Sequence, residues 1–221
     1  MLVERSMHPR YLSNAYVVAD REGGDALFVD SGAPLEPLLA AVERWGATPR
    51  HVLRTHGHGD HVEHEAELVR RFGIDVVTGA VVAGGLRVEA RATPGHADDH
   101  LAFVVNGELL FSGDLLFKDA VGGGDASTVR RSVMDVMALP PETRVLPGHT
   151  DETTIGREAE HNPFVRVWSG AEPPLDEPVR FMGDPATLLV WSPDYDGKGK
   201  ALIRLDGGAE VIVGGSRVER A

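Results

Sequence analysis

Thr55-His56-Gly57-His58-Gly59-Asp60-His61 decides how this chain is read. His56, His58, Asp60 and His61 are four possible metal ligands within six residues. Nothing in the packing of helices or sheets asks for that order. Further along stand His96 in Thr93-Pro94-Gly95-His96, Asp114 in Ser112-Gly113-Asp114 and His149 in Pro147-Gly148-His149. Together the seven side chains can build two adjacent metal sites from nitrogen and oxygen alone. The pattern points to a metal-dependent hydrolase.

Each ligand follows a strand-like segment. Val52-Leu53 precedes His56, Ala90 to Ala92 precede His96, Leu109 to Phe111 precede Asp114, and Val145-Leu146 precedes His149. Strands lying side by side would bring the loops together along one edge, on a rigid scaffold. Gly57, Gly59, Gly95, Gly113 and Gly148 would let the backbone turn tightly beside the ligands.

The rest of the chain alternates strands and helices. Tyr11 to Ala19 and Ala26 to Asp30 read as strands, and Pro34 to Trp45 as a helix stopped by Gly46. Val62, Ala66, Val69 and Phe72 recur at helical spacing, and Gly73 ends that run. A strand is expected over Ile74 to Thr78. Leu86 to Ala92 alternates as a half-buried strand, and Asn106-Gly107 marks a hairpin between two more. Val129, Val133, Val136 and Met137 mark a helix; Thr153 to His161 is another, ended by Asn162-Pro163. Residues 171–178 read as a linker. Thr187 to Trp191, Ala201 to Leu205 and Val211 to Val213 read as strands. His64 falls on the face opposite Val62; His100, four residues past His96, reads as a packing residue at a strand start, with a place behind the metal ligands as the alternative.

Composition removes several classes. The 221 residues suit one domain, 1–170, with a small β-rich C-terminal extension, 171–221. There are 22 Lys and Arg against 34 Asp and Glu, a net charge of −12, which opposes nucleic-acid binding. The chain has no Cys, so disulfides, thiolate ligands and a Cys nucleophile are excluded. The N-terminus lacks the apolar core of a signal peptide, and no run approaches a membrane span. A cytoplasmic protein with no membrane partner is expected.

In these motifs the chain resembles the metallo-β-lactamase superfamily, over about residues 10 to 165. Pro147-Gly148-His149, Thr153-Thr154-Ile155-Gly156-Arg157-Glu158 and Asn162-Pro163-Phe164 are most similar to the glyoxalase II (hydroxyacylglutathione hydrolase) branch. The resemblance implies an α/β fold, a four-layer αββα sandwich with the metals at one edge. It implies that His56, His58 and His96 bind one metal, that Asp60, His61 and His149 bind a second, and that Asp114 bridges both. Phe117, Lys118 and Gly123 are expected to line the substrate pocket, from their position after Asp114. The chain departs from glyoxalase II where Thr150 follows His149, where Gly123 replaces a common Arg, and in its strand-like rather than helical C-terminal part.

The implied chemistry uses two divalent metal ions about 3.5–4 Å apart and a hydroxide between them that attacks a carbonyl. His and Asp ligands suit zinc, and also iron or manganese. Asp60 and Asp114 are the candidate catalytic carboxylates. Beyond Asp60 no proton donor stands near the motifs. That favours an acyl thioester as the small-molecule substrate, because a thiolate with a pKa near about 8.5 leaves unaided. A lactonase and a mononuclear iron persulfide dioxygenase are the alternatives, with a non-catalytic metal-binding protein behind them. Self-association through the extension is open.

Overall fold

The computed structural model describes residues 1–220. Strand β1 (Leu2–Met7) pairs antiparallel with β2 (Asn14–Ala19), and β2 with β3 (Asp25–Val29). Helix α1 (Glu36–Trp45) crosses over, so β4 (Thr48–Leu53) returns parallel to β3. Helices α2 (Gly59–Val62) and α3 (Glu65–Phe72) carry the chain to β5 (Asp75–Val77), parallel to β4. This closes a first sheet of order β1-β2-β3-β4-β5.

The second sheet begins as an antiparallel meander of β6 (Val81–Ala83), β7 (Leu86–Ala92), β8 (Leu101–Val105) and β9 (Leu109–Gly113). Asn106 and Gly107 both have positive φ, +54° and +72°, as a two-residue turn matched to strand twist requires. After a small hairpin of β10 (Leu116–Phe117) and β11 (Ala120–Val121), β12 (Gly124–Asp125) leads into helix α4 (Ala126–Val136). Strand β13 (Arg144–Pro147) then joins β9 in parallel, and β14 (Thr153–Thr154) covers its free edge. Helices α5 (Ile155–His161) and α6 (Pro163–Ser169) follow.

The two sheets face each other. Tyr16, Val18, Leu27, Val29 and Leu53 of the first meet Leu86, Phe103, Val105, Phe111 and Leu146 of the second. The alternate residues point outward but are buried too. Ala15, Val17, Ala26, Phe28 and Val52 pack on Leu38, Ala41, Val42 and Trp45 of α1 and on Leu68 of α3. Val104, Leu110 and Val145 pack on Val129 and Val133 of α4 and on Phe164 of α6. The central strands are covered on both faces, which is why β2, β3, β8 and β9 read as near-continuous apolar runs. The architecture is the four-layer αββα sandwich.

The C-terminal residues build a third sheet from β15 (Glu177–Phe181), β16 (Asp184–Ser192), β17 (Lys200–Leu205), β18 (Glu210–Gly214) and β19 (Val218–Arg220). Its order is β12-β18-β17-β16-β15-β19, so a strand of the main body completes it. A register shift between Leu188 and Val190 divides β16 between two cores. Leu188 packs with Val179, Ile203 and Val218 inside the unit. Leu189 and Val190, with Leu202 and Ile212, pack on the α4 and α6 layer.

The structure departs from the sequence reading at several places. The strand expected from Tyr11 starts at Asn14, because His8 Nδ1 accepts the N–H groups of Arg10 and Tyr11 and bends the chain there. The helix read from Val62 is broken after α2, where the His64 N–H donates to the Ser31 carbonyl; Leu68, not Val62 or Ala66, is its buried residue. His64 is half-buried rather than free in solvent. Thr153 and Thr154 form a short strand ahead of α5. Asn162-Pro163 ends α5 but also begins α6: Asn162 Oδ1 accepts from the N–H groups of Phe164 and Val165, and Pro163 occupies the first turn, where no N–H is needed. The end of the expected linker is strand, since Glu177 and Pro178 lie in β15.

Removing the chain beyond Glu172 would uncover Val129, Val133 and Trp168 and leave β12 unpaired. The truncated protein is expected to aggregate or change its oligomeric state in size-exclusion chromatography; a monodisperse product of unchanged mass class and activity would refute the docking role. Within the full chain, Leu202→Ala is expected to cost about 2–5 kcal/mol in denaturant unfolding, as for other fully enclosed leucines.

Candidate metal centre

The seven side chains converge at one edge of the sandwich. His56 lies just past β4, and His58 immediately precedes α2, whose single turn presents Asp60 and His61. His96 lies in the β7–β8 loop, Asp114 directly follows β9, and His149 follows β13. Both sheets therefore contribute. Three groups of ligand atoms each lie within 4.8 Å of one another: His56, His58 and His96; His56, His61 and Asp114; and Asp60, His61 and His149.

Asp114 sits at the bottom, 6% exposed. Its Oδ1 is 3.3 Å from His61 Nε2, and its Oδ2 is 3.4 Å from both His96 Nε2 and His149 Nε2. Asp60 Oδ2 lies 3.7 Å from His149 Nε2 and 3.9 Å from His61 Nε2. His58 Nδ1 is 3.0 Å from the Nε2 atoms of both His56 and His96. A single ring nitrogen can donate only one proton, so it cannot satisfy both neighbours as a donor. Nitrogens bound tetrahedrally to one ion at about 2.0–2.1 Å come similarly close. His61 Nε2 and Asp114 Oδ1 are buried without a hydrogen-bond partner among the described residues. A buried polar atom left alone costs free energy, and a cation between these atoms would remove that cost. The donor set fits a pair of divalent ions.

The charges are consistent with this. Burial first, then the neighbouring His61, pushes His56 down to about 2, so it stays a neutral ligand. Burial would also lower His61, but the carboxylates of Asp114 and Asp30 outweigh it and hold the imidazole well above its usual range. Burial would raise Asp114, yet His61 and His149 keep it well below the usual carboxylate range.

A second set of residues, beyond those singled out in the sequence, holds the ligands in place. Asp30 ends β3 at φ +54° and is 3% exposed. Its Oδ1 accepts the Thr55 N–H at 2.8 Å, and its Oδ2 lies 2.8 Å from both Thr55 Oγ1 and His61 Nδ1. A carboxylate behind an imidazole fixes the tautomer and turns the other nitrogen to the metal. His100, read as a packing residue, is 1% exposed, and its Nε2 accepts the Asp114 N–H at 3.0 Å while Nδ1 meets Thr93 Oγ1 at 2.8 Å. Two glycines serve close approach: a Cβ at Gly32 would strike the Asp60 carbonyl, and one at Gly148 the Asp114 carboxylate. Asp30 could have been noticed as a carboxylate at a strand end beside Gly32; its partners could not.

The pocket residues are placed as follows. Phe117 is 1% exposed and packs edge-on against the His149 ring, with centroids 5.7 Å apart. Lys118 is half-buried, and its N–H donates to Thr150 Oγ1. The Gly123 carbonyl accepts from His96 Nδ1 at 3.1 Å. From the C-terminal sheet, Tyr195 stacks on His149 with centroids 4.1 Å apart and planes 9° from parallel. Burial first, then Asp114, Asp194, Asp196 and Asp60, holds its phenol above the usual range. The sequence reading passed over this residue because an Asp-Tyr-Asp-Gly turn looks like any surface turn.

The chain belongs to the metallo-beta-lactamase superfamily. The model of that family matches residues 8–81. An uncharacterized protein of Mycobacterium tuberculosis is 31% identical, covering 69% of this chain and 92% of the relative. A hydroxyacylglutathione hydrolase of Xanthomonas axonopodis is 37% identical, over 66% of this chain and 62% of the enzyme's length. Among solved structures, the B3 metallo-beta-lactamase BLEG-1 has a TM-score of 0.69 at 25% identity, over 74% of this chain and 99% of that one. TTHA1623 in a di-iron-bound form has a TM-score of 0.60 at 32% identity, over 72% and 98%.

Asp114→Ala is expected to abolish stoichiometric metal binding, measured by elemental analysis of purified protein. Asp30→Ala should weaken metal affinity about 10–100-fold in competition with a chelator. His64→Ala should change neither. Equal metal loss in all three would mean that the ligands are wrongly assigned.

Proposed function

We propose that this protein is a dinuclear metal-dependent hydrolase of small acyl thioesters. One observation carries the reading: the complete set of seven His and Asp side chains, arranged in three groups of ligand atoms that overlap at His56 and His61. The relatives called hydroxyacylglutathione hydrolase support the choice of substrate class. The crystal structure of TTHA1623 in a di-iron-bound form supports a two-ion centre, and His and Asp ligands suit zinc, iron or manganese.

Divalent cations bound by these residues would supply a hydroxide nucleophile at neutral pH and would take up charge on a carbonyl oxygen. The chain's own groups do the rest. His56, His58 and His96 would hold one ion, Asp60, His61 and His149 the other, and Asp114 would serve both. Asp30 and His100 keep His61 and Asp114 from turning away, so little reorganisation is needed when charge develops. Asp60 has the more open carboxylate, its side chain 26% exposed against 8% for Asp114, which supports a role in accepting a proton from the nucleophile. A thiolate leaving group needs no proton donor. The net charge of −12 works against polyanionic substrates such as nucleic acids. Among the described residues no helix is long and apolar enough to cross a membrane.

A lactone is the second reading, and Tyr195 favours it. Its ring stacks on His149, so a phenol stands near the centre, and an alkoxide, unlike a thiolate, needs a nearby hydrogen-bond donor as it leaves.

Steady-state rates on S-lactoylglutathione, a lactone, nitrocefin and bis-p-nitrophenyl phosphate test the reading. The thioester is expected to have the highest kcat/KM, by about tenfold or more over nitrocefin and the phosphodiester. A preference for either of those would overturn it. One iron per chain with oxygen uptake on a persulfide would replace hydrolysis by oxygenation.

A further inference from the structure

The C-terminal sheet touches the metal centre through Tyr195, on the loop joining β16 to β17. A tyrosine on a hairpin tip is ordinarily loose, but this one is braced. Asp194, with a side chain 4% exposed, pairs with Lys200 Nζ at 3.0 Å. The Tyr195 N–H donates to Asp194 Oδ1 at 2.9 Å, and the Lys200 ammonium lies 5.7 Å from the ring centroid. At the loop's end the Gly199 carbonyl accepts the Gly215 N–H at 2.6 Å. The ring itself is clamped between His149 on its face and Phe117 at an edge, 5.9 Å away.

The stack uses the ring and not the hydroxyl. Covering His149 would need only phenylalanine, and a half-buried phenol gains nothing there unless its O–H finds a partner. That hydroxyl makes no hydrogen bond to any described residue. The ring lies flat against His149, one of the seven candidate ligands, which keeps the hydroxyl beside the metal centre. A neutral donor in such a place suits an oxygen of a bound ligand.

We infer that Tyr195 is a catalytic residue whose phenol donates a hydrogen bond to the carbonyl oxygen of the bound acyl substrate. It rests on the acyl hydrolysis proposed above, and the test below separates the two. The phenol keeps its proton throughout. As the nucleophile's electron pair forms the new bond to carbon, the carbonyl π pair moves onto oxygen, and the hydrogen bond to that oxygen strengthens. When the carbon–sulfur bond breaks, its pair leaves on the thiolate, the proton of the added hydroxide passes to Asp60, and the carboxylate product remains against the phenol. The C-terminal sheet is then part of the active site and not a cover alone.

The test uses full-length, metal-loaded wild type, Tyr195→Phe and Tyr195→Ala. Three quantities are read: metal content, kcat and KM on S-lactoylglutathione, and the Kd of the product D-lactate by calorimetry. Tyr195→Phe keeps the stack and should keep full metal content. Its kcat should fall roughly tenfold or more with KM within about twofold, and D-lactate should bind about fivefold more weakly or worse. A Tyr195→Phe enzyme equal to wild type in kcat and in D-lactate affinity overturns the inference. If Tyr195→Ala alone then loses metal, the ring only shields His149. Weaker D-lactate binding by Tyr195→Phe, with no thioester cleaved by wild type, would refute the substrate and keep the Tyr195 contact. A wild type that neither cleaves the thioester nor binds D-lactate refutes both.

Discussion

A buried carboxylate facing three imidazoles is the constraint around which this protein is organised. Asp114 is 6% exposed, and His61, His96 and His149 each point a nitrogen at it from 3.3–3.4 Å. Such a charge is tolerated only where opposite charge and hydrogen bonds meet it. The chain supplies these from four directions. β9 delivers Asp114, β13 delivers His149, the β7–β8 loop delivers His96, and α2 delivers His61. Each must arrive within a fraction of an ångström, and only strands locked in two packed sheets hold loops that tightly.

That demand explains the layering. The inter-sheet core of Tyr16, Leu27, Phe103 and Phe111 fixes the distance between the sheet carrying His56 and the sheet carrying Asp114. The outer helices seal the remaining faces, so neither sheet can slide. Asp30 joins the two levels of organisation. It ends β3 in a left-handed conformation, which is costly for a residue with a side chain, and ties Thr55 and His61 to that strand. Gly32 and Gly148 are needed for room, because the metal loops press directly on them.

The C-terminal sheet changes how the centre is understood. It borrows β12 from the main body and shares a core with α4 and α6, which makes it continuous with the catalytic layers. It also lays an aromatic ring on His149, one of the candidate ligands. About a quarter of this chain lies outside the alignment with the BLEG-1 structure, which covers 74% of it.

Much of the centre was legible in the sequence, because metal binding demands particular atoms at short spacings. His-x-His-x-Asp-His serves no packing purpose, and the three later motifs each follow a strand. The turn at Asn106-Gly107 and the stops at Gly46 and Gly73 were legible because they need left-handed backbone. What the sequence could not show was partnership between distant residues. Asp30 looked like an ordinary strand end, and His100 read more as a packing residue than as a support for the ligands; only the folded chain puts them against His61 and Asp114. Asn162-Pro163 looked like a stop and is a junction between two helices. Tyr195 lay in an unremarkable turn, 46 positions past His149. Short-range physics writes caps, turns and ligand spacings into adjacent residues. Which ring stacks on which ligand depends on how separate sheets dock, and that is decided by the tertiary structure alone.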